Sequence, residues 1–313
     1  MNPIMIFLLD FICKNDGDCS GHGYCHVGVC KCLPNYDYML DCSLNACKFF
    51  LPYMYIHFIL SNNSSLTVSK ILVTTGSNRD GTHTASEIID LTIKGGNKCE
   101  NWPKFPISVS EATGGLIENN VLICGGYDGR YIDECYSLSN KKATFVTYMS
   151  VKRTDAASVV VNDDTLWITG GYDYPNTLAS SEYIKMTGTR SGPDLPMALE
   201  GHTILAINSS CSMVIGGMNR DTFDITSTFY YDNNNDVWTN GPNLNQGRYD
   251  HASGMIIDEF TNENFVAVTG GGLGIDSTEL LQNNEWIQGN FFGTTYLLSI
   301  SFHTKLSKII AFF

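Results

Sequence analysis

The chemistry on offer in this 313-residue sequence begins with its eleven cysteines. Six of them, Cys13, Cys19, Cys25, Cys30, Cys32 and Cys42, are separated by five, five, four, one and nine residues. Thiols at this density do one of two things: they crosslink in an oxidising compartment or they hold a metal. A zinc site needs C-x2-C pairs or Cys/His pairs. His22 and His26 lie nearby, but C-x2-C is absent, so crosslinking is the favoured reading. Cys30 and Cys32 flank one residue, so they pair with different partners. Spacing alone leaves fifteen pairings open for six cysteines. Cys124 and Cys135 face each other across an expected hairpin, as a cross-strand disulfide or as two buried thiols. Cys47, Cys99 and Cys211 have no assignable partner.

Three sequons open at Asn62, Asn63 and Asn208, of which Asn208, on an expected turn, is the better glycan acceptor. Two groups of loop residues could recognise a ligand. One comprises Tyr127, Asp128, Arg130, Tyr172, Asp173, Tyr174, Asn219 and Arg220. The other comprises Lys152, Arg153, Asp155, Glu200, His202, Arg248, Tyr249 and His251. Arg and Tyr are the side chains that dominate interface energetics, while solvated turns and braces between strands are the plainer alternative for each. Catalytic patterns are missing: the sequence has no G-x-S-x-G, no P-loop and no H-E-x-x-H. Neither repeated S-x-D-x-G-x-T-W turns of a sialidase type nor spaced Tyr/His copper ligands of an oxidase type stand out. No cofactor, metal or catalytic residue is expected.

These residues hang on a repeat. Apolar strands ending in small residues recur as ILVTTG, VLICGG, LWITGG, MVIGG and VAVTGG, closing at Gly76, Gly126, Gly171, Gly217 and Gly271. The intervals are 50, 45, 46 and 54 residues. A second strand opens at Glu87, Glu134, Glu182, Thr228 and Glu279, always 8 or 11 residues after the glycine, which reads as one register with a variable loop. Aromatic and proline turns follow (Trp102-Pro103, Gly192-Pro193, Trp238 with Gly241-Pro242, Trp286). A further strand precedes each glycine pair, and the first repeat lacks an obvious one. Four-stranded units of this kind bury both faces only when they stack in a ring.

Diglycine, Glu and Trp in phase over about Ser69 to Phe292 resemble the kelch repeat family. The resemblance implies an all-β, kelch-type β-propeller with five clear repeats and a partial sixth in the tail, an incomplete six-bladed ring. In kelch relatives a loop arginine at the place of Arg153 or Arg248 contacts acidic peptide ligands, so the resemblance makes these two the leading contacts. The early cysteines, with Gly21-His22-Gly23 and Asn35-Tyr36, resemble an EGF-like module, which implies the pairs Cys13–Cys25, Cys19–Cys30 and Cys32–Cys42. The expected order is a short apolar segment at 1–12, the EGF-like module at 13–42, a linker at 43–66 and the propeller at 67–313. That order is similar to part of attractin-like proteins.

The expected function is extracellular binding of a protein or glycan partner without catalysis. The alternatives are an intracellular kelch scaffold or substrate adaptor and, behind it, a propeller enzyme. A net charge of -13 argues against nucleic acid and anionic membrane surface as partners. Ile4–Ile12 falls short of a signal peptide, and Phe49–Leu60 is too short to span a bilayer.

Overall fold

The computed structural model describes residues 23–26, 29–32, 56–59, 70–75, 77–78, 81–82, 84, 86–90, 100–101, 103–118, 120–139, 142–257, 264–272, 274–275 and 277–289. Among them every regular element is a strand. Five four-stranded antiparallel sheets follow one another along the chain, an arrangement consistent with a β-propeller-like fold. Their strands are, in order, Ile56–Ile59, Lys70–Thr74, Ser86–Asp90 and Glu100–Asn101 in the first sheet. The second has Thr113–Ile117, Asn120–Cys124, Glu134–Leu138 and Ala143–Tyr148. The third has Ala157–Val161, Thr165–Thr169, Ser181–Lys185 and Gly188–Ser191, with a small hairpin, Tyr172–Asp173 and Asn176–Thr177, inserted in its middle. The fourth has Thr203–Asn208, Cys211–Ile215, Thr228–Asp232 and Val237–Asn240. The fifth has Ala252–Ile257, Asn264–Thr269, Thr278–Gln282 and Glu285–Gly289. The first strand of each sheet packs beside the first strand of the next, so successive sheets share one inner edge.

Ile56–Ile59 is the strand that the sequence withheld from the first repeat. It pairs with Lys70–Val73 and lies inside the stretch assigned to a linker. Its β-pattern is one short apolar run without a turn signal ahead of it, which is why it reads as linker.

The apolar second strands of the second to fifth sheets are buried on both faces, and alternation sends their side chains to opposite neighbours. Val121 and Ile123 join a cluster with Phe105, Val109 and Ile132. Leu122 and Cys124 point the other way, to Leu166, Ile168 and Ile184 of the third sheet. Trp167 turns towards Ile204, Val214 and Tyr231 of the fourth, and Met213 and Ile215 towards Val266, Val268 and Trp286 of the fifth. A strand that feeds two interfaces is apolar through its centre, as LWI and MVI are.

The glycine pairs end these strands for a steric reason. Gly125, Gly170 and Gly216 hold φ of 70°, 58° and 58°, and a Cβ there would meet the carbonyl oxygens of Arg153, Leu199 and Arg248 at 2.5, 2.4 and 2.5 Å. Those carbonyls accept hydrogen bonds from the next glycine in each pair: Gly126 (2.9 Å), Gly171 (2.8 Å) and Gly217 (2.8 Å).

Cys124 and Cys135 are directly opposite in the second sheet and form a buried disulfide with an S–S distance of 2.02 Å. Of the two readings left open by the sequence, the crosslink is the one realised. Cys211 is a half-buried free thiol. In the cysteine-rich region, Gly23–His26 pairs with Val29–Cys32 as a hairpin that sets Cys25 opposite Cys30. Cys13, Cys19, Cys42, Cys47 and Cys99 lie outside the described residues, as do Asn62, Asn63 and the partial sixth repeat.

The third strands correct one expectation. Cross-strand register aligns Tyr136, Glu182, Phe229 and Glu279, each one residue after the partner of Cys124, Thr169, Ile215 and Thr269. Glu134 and Thr228 are therefore not in the column of Glu182 and Glu279. The loop lengths after the glycines are more varied than two values, and acid or hydroxyl residues one or two positions from the true one disguised the shift.

Candidate functional site

Both groups of loops come together at one end of the sheets. The residue after each glycine pair bridges to the segment leading into an inner strand: Tyr127 with Ser110, Tyr172 with Thr154, and Met218 with Glu200. The leading segments themselves are stitched in sequence. Asp155 N donates to Glu111 O (3.2 Å), Gly201 N to Asp155 O (3.0 Å) and Asp250 N to Gly201 O (2.7 Å). All four residues take left-handed φ, at 58°, 49°, 61° and 49°. Asp tolerates that conformation better than most residues, because its short side chain bonds locally. The result is a belt of main-chain bonds running from the second sheet to the fifth.

Four carboxyls gather at this belt: Glu111, Asp155, Glu200 and Asp250. Burial, then the charges of Asp155 and Glu200, push the Glu111 carboxyl up to about 8. Burial and then Asp155 push Glu200 up to about 7. Burial, then Asp155, Glu111 and Glu200, hold Asp250 well above the ordinary carboxylate range. The buried Oδ2 of Asp250 has no hydrogen-bond partner. Among the described residues no group of three or more His, Cys, Asp or Glu side chains could hold a metal ion. Asp155 and Glu200 belong to the loop residues singled out in the sequence. Glu111 and Asp250 do not, and the signal that would have found them is their place in the repeat, one residue before Ala112 and His251.

A ladder of tyrosines adjoins the carboxyls. Ring centroids step from Tyr127 to Tyr131 (5.3 Å), to Tyr172 (5.9 Å) and to Tyr174 (6.4 Å), all at edge-on angles. Tyr127 is 37% exposed and Tyr174 72%. Burial, with Tyr172, Tyr127 and Glu111 behind it, raises the Tyr131 hydroxyl above its usual value, which places Tyr131 within electrostatic reach of both the ladder and Glu111. Tyr127, Tyr172 and Tyr174 were expected on this surface; Tyr131 joins them. Asp128 and Arg130 share the loop, where Arg130 pairs with Asp128 (3.5 Å) and Glu134 (3.7 Å). Arg220 is exposed on the corresponding loop of the fourth sheet.

Arg153 and Arg248 are a correction. They were expected to meet a ligand, and they are 1% and 0% exposed. Arg153 Nη1 donates to Gly170 O (2.6 Å) and Ser180 O (3.0 Å), while Nη2 donates to Glu182 Oε1 (2.8 Å). Arg248 repeats the pattern on Gly270 O (2.7 Å), Ser277 O (3.0 Å) and Glu279 Oε1 (2.7 Å). Each carboxylate also accepts two backbone N–H groups, from Ser150 and Val151 (2.6 and 3.1 Å) and from Asn245 and Gln246 (2.7 and 3.2 Å). Both Nη groups of each arginine are engaged inside the fold, so the end of neither side chain can reach a ligand. His202 and His251 are likewise internal. His202 Nε2 lies 2.9 Å from Thr169 Oγ1, and His251 Nε2 lies 3.0 Å from Thr203 Oγ1. Burial, then Arg153, drops His202 to about 3, and burial, then Arg248, lowers His251, so both are neutral.

Asn208 is exposed in a hairpin turn, where its Oδ1 accepts the Ser210 N–H at 2.8 Å. No helix of the described residues is long and apolar enough to cross a membrane.

No family model matches the chain, and no curated protein matches it. Among solved structures, the chain is similar to the structure of YjhT, at 12% identity and a TM-score of 0.62, covering 80% of this chain and 86% of that one. A likeness at that identity is a likeness of fold.

Proposed function

We propose that this chain is an extracellular interaction module, a kelch-type propeller behind an EGF-like crosslinked module, that binds a protein or glycan partner without catalysis. The observation that carries the reading is the junction of both loop groups at one end, where an exposed tyrosine ladder borders four carboxyls. Large, rigid, amphipathic rings contribute binding area at low entropic cost. The buried Cys124–Cys135 crosslink fits an oxidising compartment. The finer parts of the reading, the kelch and EGF-like modules and their partial likeness to attractin-like proteins, rest on the sequence resemblance.

Two measurements test it. Mass mapping of thiols under non-reducing conditions, on protein from its natural source, should find the early cysteines crosslinked; six free thiols before residue 43 overturn the secreted reading. Labelled chain should bind cell surfaces or extracellular matrix through the ladder. Binding left intact by Tyr127→Ala with Tyr174→Ala moves the interface away from this end.

A further inference from the structure

We infer that Asn208 carries an N-linked oligosaccharide, which stands at the end of the fourth sheet remote from the tyrosine ladder and screens the thiol of Cys211. The inference rests on the extracellular reading above.

Three observations carry it. First, the sequon Asn208-Ser209-Ser210 has a non-proline middle residue and forms the two-residue turn between Thr203–Asn208 and Cys211–Ile215. Asn208 and Ser209 are exposed there. An oligosaccharide is bulky and water-seeking, so it is tolerated on a surface turn and not on a packed strand face. Second, the turn holds the acceptor amide by its other side. Asn208 Oδ1 accepts the Ser210 N–H at 2.8 Å, which occupies the carbonyl of the amide and leaves Nδ2, the atom to be glycosylated, on the opposite side. Asn233 steadies the turn through main-chain carbonyls, its N–H donating to Ser210 O (2.8 Å) and its Nδ2 to Ser209 O (3.4 Å). Third, register sets Asn208 directly opposite Cys211, so the two side chains share one face of the sheet. Cys211 is a half-buried free thiol. A leftover thiol in an oxidising compartment is prone to crosslink one chain to another, and a hydrated chain of sugars anchored opposite it blocks that approach.

The place of the turn suits the binding reading. Cys211–Ile215 runs from it to Gly216 and Gly217, and Met218 beyond them bridges to Glu200 at the ladder end. At about 3.3 Å per residue, a five-residue strand separates the two ends by roughly 16 Å. A glycan at Asn208 therefore leaves the ladder uncovered.

The transfer balances with one co-reactant, an oligosaccharide linked to a lipid diphosphate. Asn208 Nδ2 bonds to the anomeric carbon, and the bond from that carbon to the diphosphate oxygen breaks. The departing lipid diphosphate keeps the electron pair, and Nδ2 loses one proton.

The test is digestion with peptide-N-glycosidase in heavy-oxygen water, followed by peptide mass mapping. It is run on the whole chain from its natural source and on the whole chain routed through a eukaryotic secretory pathway by a heterologous leader. In both, position 208 should emerge as aspartate bearing heavy oxygen. Asn208→Gln and Ser210→Ala should lose that signal in the routed chain, and Ser210→Thr should keep it. The substituted residues lie in a surface turn, and an unchanged melting transition shows that each variant is folded. A bulky maleimide should label Cys211 several-fold more slowly in the glycosylated chain than in Asn208→Gln. An unmodified Asn208 in both preparations overturns the site and leaves the extracellular reading to thiol mapping. Modification of the routed chain alone overturns the compartment, and the inference with it. Equal labelling rates overturn the screening of Cys211.

Discussion

Glu182 and Glu279 are buried carboxylates, and so is Glu200, yet the two environments have opposite characters. Glu182 and Glu279 each meet a guanidinium and two backbone N–H groups, so both oxygens of each buried carboxylate are given donors. Glu200 has Asp155 for a neighbour, and Glu111 and Asp250 stand in the same company. Burial is common to both regions, and the neighbours differ: donors at Glu182 and Glu279, other carboxyls at Glu200. A brace serves the fold. Carboxyls that burial and one another push upward cost stability wherever they ionise.

Removing one member of a brace is the strongest way to break this contrast. Arg248→Ala leaves Glu279 buried with its positive partner gone and strips donors from Gly270 O and Ser277 O. Losing half of a buried pair costs about 3–5 kcal/mol. Urea unfolding should show that loss. A cost under about 1 kcal/mol would mean that the braces are energetically no different from surface pairs.

The opposite result is expected at the carboxyls of the main-chain belt. The folded chain holds Glu111 and Glu200 protonated to about 8 and 7, whereas the unfolded chain releases those protons near 4.5. The folded state therefore binds more protons over that interval, and stability falls as pH rises through it. Glu111→Gln with Glu200→Gln removes the slope. The variant should be more stable than the parent by about 2 kcal/mol near pH 8, after discounting for partial solvation, and equal to it below about pH 4.5. Parallel stability–pH profiles for the two proteins would remove the distinction between the regions.

How much of this was legible in the sequence follows from the range of the interactions. Diglycines recur in phase because backbone carbonyls crowd the same place in each sheet, so the repeat and the all-β architecture could be read directly. The apolar second strands were legible for the same reason. The column of Glu182 and Glu279 was blurred because Glu134 and Thr228 lie two and one residues away from it, and only cross-strand register separates them. Arg153 and Arg248 were assigned to the wrong side of the surface. Sequence marks a loop arginine but not the direction of its side chain, and the three carbonyl and carboxylate acceptors of each lie up to 31 residues away. Glu111 and Asp250 went unnoticed because a single acidic residue per repeat carries no local pattern, and they meet only where successive sheets converge.

One signal for the braces was present all along. Sheets two and four have no Arg–Glu pair. In the arginine's place stand Val109 and Leu199, and in the glutamate's place Tyr136 and Phe229, packed into apolar clusters. Three residues before the arginine position, the braced sheets carry Ser150 and Asn245, whose N–H groups the carboxylate accepts. The unbraced sheets carry Pro106 and Pro196, which have no N–H to satisfy. Arginine, glutamate and a donor form one solution; an aliphatic residue, an aromatic one and proline form the other. The triple variant Ser150→Pro, Arg153→Leu and Glu182→Phe copies the fourth sheet into the third. Well-packed apolar replacements of buried ion pairs are commonly neutral or stabilising, so this variant should unfold within about 1 kcal/mol of the parent, while Arg153→Leu alone loses about 3 kcal/mol or more. Differential scanning calorimetry reads both. If the triple variant falls as far as the single one, the proline does not belong to the exchange, and the two solutions are not equivalent at this position of the repeat.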